Sequence, residues 1–317
     1  MSFDLSNYLA FVSGFNGFLG SSVVNALLIN GVTVVGLKLK ASEEINSTHK
    51  FYRHAKFMVK AIDEDFDWIL NDETLNQNLR VCFHFAGEPS GEKCQKHPEE
   101  AYHNNVILTL KILEFCRSKG INKFIYPSTG YVYGDNLDKP GKEENQRFSS
   151  NIYTATKIAA ESLIESYSYY YNMDCIIARL SNVYGKNSTE ETIAGKIIKS
   201  VLKQEKIIIN SIKPIRDFIY INDVIDGFLI LFEKEKNSTC AYFNISTGIA
   251  TSIKELAETA CKLVGLPSNF IISRNIEQYS DTKLVLSRDK MKAVFNWDPK
   301  FSIEEGLSEI INGKKKI

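Results

Sequence analysis

The chain has 317 residues, with 38 basic side chains against 38 acidic ones, so no net field draws it to nucleic acid or to an anionic membrane surface. That length supports a full core, in one large α/β unit or about two domains. No apolar run approaches the ~18 residues of a membrane span, the opening residues lack the basic segment of a secretory leader, and the six cysteines have no paired spacing; together these point to a soluble cytoplasmic protein with reduced thiols and no metal centre.

Tyr8–Ser13 is a short apolar run that predicts a strand. Gly14, Gly17 and Gly20 follow, opening an apolar helix over Ser21–Asn30, and Val32–Leu37 is a second buried-type strand. Strand, glycine turn, helix and strand within about 30 residues make a βαβ unit. Glycines in such a turn let the backbone approach a pyrophosphate lying on the helix N-terminus. The second strand of a dinucleotide fold usually ends in an acid that binds the ribose diol. Here it ends Lys38-Leu39-Lys40, with no carboxylate before Glu43. Lysine cannot accept from hydroxyls but pairs with a 2′-phosphate, which points toward NADP; a solvated lysine beside NAD is the alternative.

Further strands are predicted at Ala55–Lys60, Arg80–Gly87, Lys123–Thr129 and Cys175–Leu180, and a long amphipathic helix over Ala101–Ser118. His84 lies mid-strand and reads as a packed core histidine. Ser128 and Thr129 stand at the carboxyl end of a strand, where ligands of doubly wound sheets bind. Beyond Asn182 the alternation loosens: helices are expected at Gly195–Gln204, from Asn222, at Ile253–Leu263 and from Ser302, with strands at Ile207–Asn210, Arg216–Ile221 and Ala241–Ser246. The expected fold is α/β, a Rossmann-type doubly wound parallel sheet with a smaller α+β C-terminal lobe. Residues 1–182, with 217–243 returning, form the first part; 183–216 and 244–317 form the lobe.

Tyr153 and Lys157 are four residues apart in a helical stretch, so phenol and ammonium share a face. A cation beside a phenol favours the phenolate, giving a proton acceptor for an alcohol being oxidised or a donor for a ketone being reduced. The spacing alone is weak. Fifteen tyrosines and 30 lysines give three such pairs, the others being Tyr52/Lys56 and Tyr279/Lys283.

The motifs Ser13–Gly20, His84–Gly87, Asn105–Val106, Ser128–Gly134, Tyr153–Lys157, Arg179–Gly185, Arg216–Val224 and Asn244–Gly248, in this order, resemble the extended short-chain dehydrogenase/reductase family, in its nucleotide-sugar epimerase/dehydratase group. The match runs over nearly the whole chain and singles out Tyr153/Lys157 from the other two pairs. The resemblance implies an NAD or NADP cofactor and a nucleoside-diphosphate sugar substrate. It makes Thr129, Tyr153 and Lys157 catalytic: Thr129 bonds the reacting sugar oxygen, Tyr153 exchanges its proton and Lys157 holds the nicotinamide ribose. It places Gly14, Gly17, Phe18, Leu19 and Gly20 under the pyrophosphate. Lys38, Ile62, Phe85, Ala86, Gly87 and Asn105 would border the rest of the cofactor. Ser128, Asn182 and Arg216 would contact substrate, although Asn182 also suits a turn and Arg216 a surface ion pair with Asp217.

Three departures matter. Dehydratases of the group carry an Asp-Glu pair after the catalytic threonine, whereas this chain has Gly130-Tyr131, which argues against 4,6-dehydration. Ser273–Asp281 lacks the Arg-Pro-Gly-Asp pattern that contacts the nucleotide, and Lys60–Asp63 lacks the aspartate expected near adenine. The leading expectation is a C4 epimerase, with an NADPH-dependent 4-keto-6-deoxy sugar-nucleotide reductase as runner-up and a non-catalytic cofactor-binding protein third. A homodimer is implied through the helices at 101–118 and 153–171, with Tyr167–Tyr171 contributing either there or within the monomer.

Overall fold

The computed structural model describes residues 5, 7–40, 49–71, 80–134, 138–234, 240–274 and 282–313. Glu43, Tyr279 and most of the Ser273–Asp281 stretch lie outside the described residues. The chain forms two compact units. The first comprises Met1–Ser128, Asn151–Ala178 and Phe228–Tyr242; the second comprises Thr129–Ser150, Arg179–Gly227 and Phe243–Ile317.

The sheet is built from β1 (Leu9–Ser13), β2 (Thr33–Lys38), β3 (Phe57–Ala61), β4 (Arg80–His84), β5 (Lys123–Thr129) and β6 (Asp174–Leu180), with a seventh strand at Ala241–Ile245. The order runs from that seventh strand through β6, β5, β4, β1 and β2 to β3. Pairing is parallel from β3 through β2, β1 and β4 to β5. The apolar runs read from the sequence become strands covered on both faces: all of β1 and β6 is buried, as a parallel sheet between helices requires. Side chains of Leu9, Phe11, Cys82, Phe124 and Ile177 pack on helix residues Ile112 and Ile164 in one core. All six cysteines are free. Reversal of strand order beside β1 creates the crevice in which doubly wound sheets bind dinucleotides.

Helix α1 (Phe18–Ile29) follows β1. The long helix expected at Ala101–Ser118 is present with an interruption: Pro98–Tyr102 and α2 (Leu108–Ser118) are joined by a π-turn at His103–Ile107. Helix α3 (Ile152–Tyr171) starts where Asn151 caps it, accepting from Thr154 N at 2.9 Å, and ends at Asn172 with φ 55°. At its C-terminal end Tyr167 is buried and donates to Glu114, whereas Tyr169 and Tyr170 are exposed. Among the described residues no helix is long and apolar enough to cross a membrane.

The second unit is a mosaic of short strands. Asn182–Tyr184 pairs with Phe218–Tyr220, Ile207–Ile209 with Ile271–Ser273, and Ile215–Arg216 lies between Thr251–Ser252 and Lys283–Leu284. Its helices include Ile193–Lys203, Ile253–Val264 and Ile303–Gly313. The second of these opens with a capping box between Ser252 and Glu255, and Ser302 exchanges the same pair of bonds with Glu305.

Candidate active site

The glycine turn after β1 has a separate constraint at each glycine. Gly14 sits at φ +67°, and a Cβ there would lie 2.5 Å from Ala86 N; at Gly20 it would lie 2.2 Å from Gly14 O. These two are forced by the protein's own packing. Gly17 is different: its Cβ would meet nothing closer than Gly14 O at 3.2 Å, and Gly17 begins α1 without a side-chain cap. The first amides of α1, on Phe18, Leu19 and Gly20, thus follow an exposed glycine with no side-chain cap, the arrangement a pyrophosphate needs. The residues fit a dinucleotide. Phe85, Ala86 and Gly87 follow β4 beside this turn, Phe85 N bonding Ser13 O at 3.1 Å. Lys38 ends β2, where its carbonyl accepts from Ile62 N at 3.0 Å.

A chain of buried polar groups braces this cradle. Ser13 Oγ lies 2.6 Å from His84 Nδ1 and accepts from Ala86 N at 3.3 Å. His84 Nε2 lies 3.0 Å from Thr109 Oγ1, which itself donates to Asn105 O at 2.7 Å. With its proton so used, Thr109 accepts from His84, which places the imidazole proton on Nε2 and leaves Nδ1 to accept from Ser13. His84 is wholly buried, and burial first, then the charge of Lys157, hold its pKa down to about 3. It is a neutral core histidine, as its mid-strand position suggested. Asn105, in the π-turn, accepts from Glu88 N at 2.7 Å and donates to Glu88 O and to Thr156 Oγ1 at 2.9 Å. Thr156 in turn donates to Tyr153 O at 2.8 Å. The side chain of Asn105 thus ties the segment after β4 to the first turn of α3. Gly87 is required there, because a Cβ would lie 2.7 Å from Asn105 Oδ1.

On α3, Tyr153 and Lys157 do share a face. Lys157 Nζ donates to Pro127 O at 2.7 Å and stands 4.1 Å from the centre of the Tyr126 ring. The residue is partly buried, and loss of water around the ammonium brings its pKa down to about 7, against the upward pull of Glu161. The other two tyrosine–lysine pairs do not form such a face. Tyr52 lies in a short 3-10 turn and donates to Asn16, whereas Lys56 reaches Gly31 O; Lys283 is on a strand.

In the second unit, Thr129 Oγ1 accepts from Tyr131 N at 3.3 Å, and the Tyr131 hydroxyl accepts from Arg216 Nε at 3.1 Å. Arg216 also donates to Ile215 O and to both oxygens of Thr282, so its guanidinium is held in one orientation. It does not pair with Asp217. That carboxylate is buried and accepts from Thr247 N, Thr247 Oγ1 and Gly248 N at 2.6–3.0 Å; burial raises its pKa against those bonds. Asn182 lies in the adjoining strand, its backbone N–H bonded to Asp217 O.

A family model described as the NAD dependent epimerase/dehydratase family matches residues 10–246. The chain belongs to that family. It is 27% identical over 312 residues to the UDP-glucose 4-epimerase of Mycolicibacterium smegmatis, spanning 95% of this chain and 96% of that protein. It is also 28% identical over 242 residues to the human dTDP-D-glucose 4,6-dehydratase, spanning 74% and 68%. Among solved structures, the UDP-glucuronic acid 4-epimerase of Bacillus cereus, in complex with UDP-glucuronic acid and NAD, superposes with a TM-score of 0.82 at 25% identity, over 97% of this chain and 99% of that one. The family is thus the one the motifs resemble, and the chain has its Rossmann-type sheet.

Three site features were not read from the sequence. Glu161 is buried on the Tyr153/Lys157 face, and the signal for it was present: it follows Lys157 by four residues, as Lys157 follows Tyr153. Thr156 was not singled out within the Tyr153–Lys157 motif, and the π-turn that aims Asn105 has no signature in residue type.

Proposed function

We propose that this protein is a sugar-nucleotide epimerase that inverts C4 of a nucleoside-diphosphate hexose or deoxyhexose. The observation that carries the reading is the α3 face, where Lys157, fixed by Pro127 O and the Tyr126 ring, stands one turn from Tyr153 in the same unit as an open glycine cradle. Gly17, Phe18, Leu19 and Gly20 would hold the cofactor's pyrophosphate, and Lys157 its nicotinamide ribose. When bound, the nicotinamide supplies a hydride acceptor and donor. Tyr153 removes the C4 hydroxyl proton as the alcohol becomes a ketone and returns it as the alcohol re-forms. Thr129 bonds the same oxygen, and Arg216 with Asn182 orients the diphosphate. The 4-epimerases among the relatives and solved structures support this choice.

Packing at Gly130 supports epimerisation over dehydration. A Cβ at that position would lie 2.7 Å from Leu286 Cδ2, and Leu286 is fully buried. An acid where the dehydratases of the group carry one would have to displace it. A second reading, an NADPH-dependent 4-keto-6-deoxy sugar reductase, is favoured by Lys38 at the end of β2, a strand that itself carries no acid for a ribose diol. The exposed Tyr169 and Tyr170 rings support a homodimer through α2 and α3.

Denaturing the purified protein and assaying the supernatant for NAD and NADP separates the two reactions. An epimerase keeps its cofactor through every turnover, so stoichiometric NAD is expected. An empty protein that binds NADPH far better than NADH would overturn the epimerase in favour of the reductase.

A further inference from the structure

Glu161 lies one helical turn beyond Lys157 on α3 and is completely buried. Ser128 Oγ donates to its Oε1 at 2.5 Å, within the range of a hydroxyl bonded to a carboxylate. A charged carboxylate persists in a protein interior when a cation accompanies it. The cation on the same helical face is Lys157. The ammonium stands over the Tyr126 ring on β5 and interacts electrostatically with His84 on β4 and Cys94 on the helix Gly91–Lys96, while Tyr153 precedes it by one helical turn. Burial keeps the Tyr126 phenol and the Cys94 thiol protonated, and His84 is neutral. Apart from the reacting tyrosine, Glu161 is therefore the group in this set that can supply a negative charge.

We propose that Glu161 is the buried counter-charge of Lys157: Ser128 holds its carboxylate, and the carboxylate holds the Lys157 proton that Tyr153 needs beside it. Glu161 is on this view a positioning residue, acting through Lys157, and Ser128 has a role directed into the protein. The inference rests on the reading of Tyr153 as the proton-exchanging group. Desolvation alone drives the ammonium toward loss of its proton, and the pull of Glu161 opposes that loss. The Lys157 pKa is about 7 with that pull in place, so without the carboxylate it would fall below physiological pH and leave a neutral amine. A neutral amine no longer favours the phenolate of Tyr153.

The test is an NMR titration of the full-length protein labelled with 13C,15N-lysine, with the Lys157 signal assigned by its loss in Lys157→Met. In Glu161→Gln, which is isosteric and can still accept from Ser128, the Lys157 midpoint is expected to fall by about one pH unit or more. Glu161→Asp, which keeps the charge, is expected to restore most of the shift. A folded Glu161→Gln protein with an unmoved Lys157 midpoint would overturn the proposal. Should that variant fail to fold, the 13C carboxyl signal of Glu161 in the unsubstituted protein decides. A carboxylate ionised at pH 7 supports the pairing, and a protonated one refutes it. Neither titration uses a sugar nucleotide. A coupled pair in a protein without turnover would sink the epimerase reading alone, and an active enzyme with an uncoupled Lys157 would sink this inference alone.

Discussion

Replacing His84 with glutamine should remove a specific part of the protein's acid sensitivity. The folded imidazole titrates at about 3, because burial and then Lys157 disfavour its charged form, against 6.5 for an unperturbed histidine. Between those values the unfolded chain binds a proton that the native one refuses. His84 therefore contributes its full stability above pH 6.5, and that contribution is lost as the pH falls toward 3. At pH 4.5 the difference amounts to two pH units of one-proton linkage, about 3 kcal/mol, a large share of the ~5–15 kcal/mol that typically holds a protein folded. Glutamine has a donor and an acceptor for Thr109 and Ser13 but no titration. Its imperfect fit should cost about 1–2 kcal/mol at every pH. Urea unfolding of both proteins at pH 7.5 and 4.5 measures the effect. The loss of stability between the two pH values should be smaller in His84→Gln by about 3 kcal/mol. An equal loss in both proteins would refute the buried, neutral assignment of His84.

Gly20→Ala places a methyl 2.2 Å from the Gly14 carbonyl, a clash between backbone-fixed atoms that should cost at least about 1–3 kcal/mol and abolish cofactor retention; wild-type unfolding with retained cofactor would contradict the packing of the turn. Arg216→Met removes the fixed guanidinium and should weaken UDP or dTDP binding about ten- to a hundredfold, the ~1.5–3 kcal/mol of charge-assisted bonds, while sparing NAD. Calorimetry with the free nucleotide diphosphates checks this, and unchanged affinity would remove Arg216 from the substrate site.

Much of this arrangement is legible from residue type and spacing. The strand–glycine–helix–strand opening specified the first βαβ unit, because the positive φ of Gly14 and the contact of Gly20 with Gly14 O are local. Tyr153 and Lys157 were legible because helical periodicity places them on one face and the surrounding motifs separate them from the other two pairs. The alternative of an Arg216–Asp217 ion pair could have been discounted on similar grounds. Adjacent residues in extended chain point to opposite sides, and the structure sends Arg216 to Tyr131 and Thr282 and Asp217 to Thr247. What remained hidden depends on long-range pairing. The partners of Asn105 come from residues 88 and 156, and those of His84 from 13 and 109. No local pattern announces such connections, and a π-turn inside a continuous amphipathic repeat is invisible to a periodicity of 3.6.

The most direct test of the hydride-transfer reading is to incubate the protein and its Tyr153→Phe variant with UDP- and dTDP-hexoses, including 4-keto-6-deoxy forms, and follow configuration at C4 by proton NMR. The expected result is inversion at C4 of at least one sugar by the unsubstituted protein, with turnover in Tyr153→Phe lower by about 10²–10⁴ and NAD binding unchanged. Equal turnover in the two proteins, or no chemistry at C4 of any sugar offered, would contradict it.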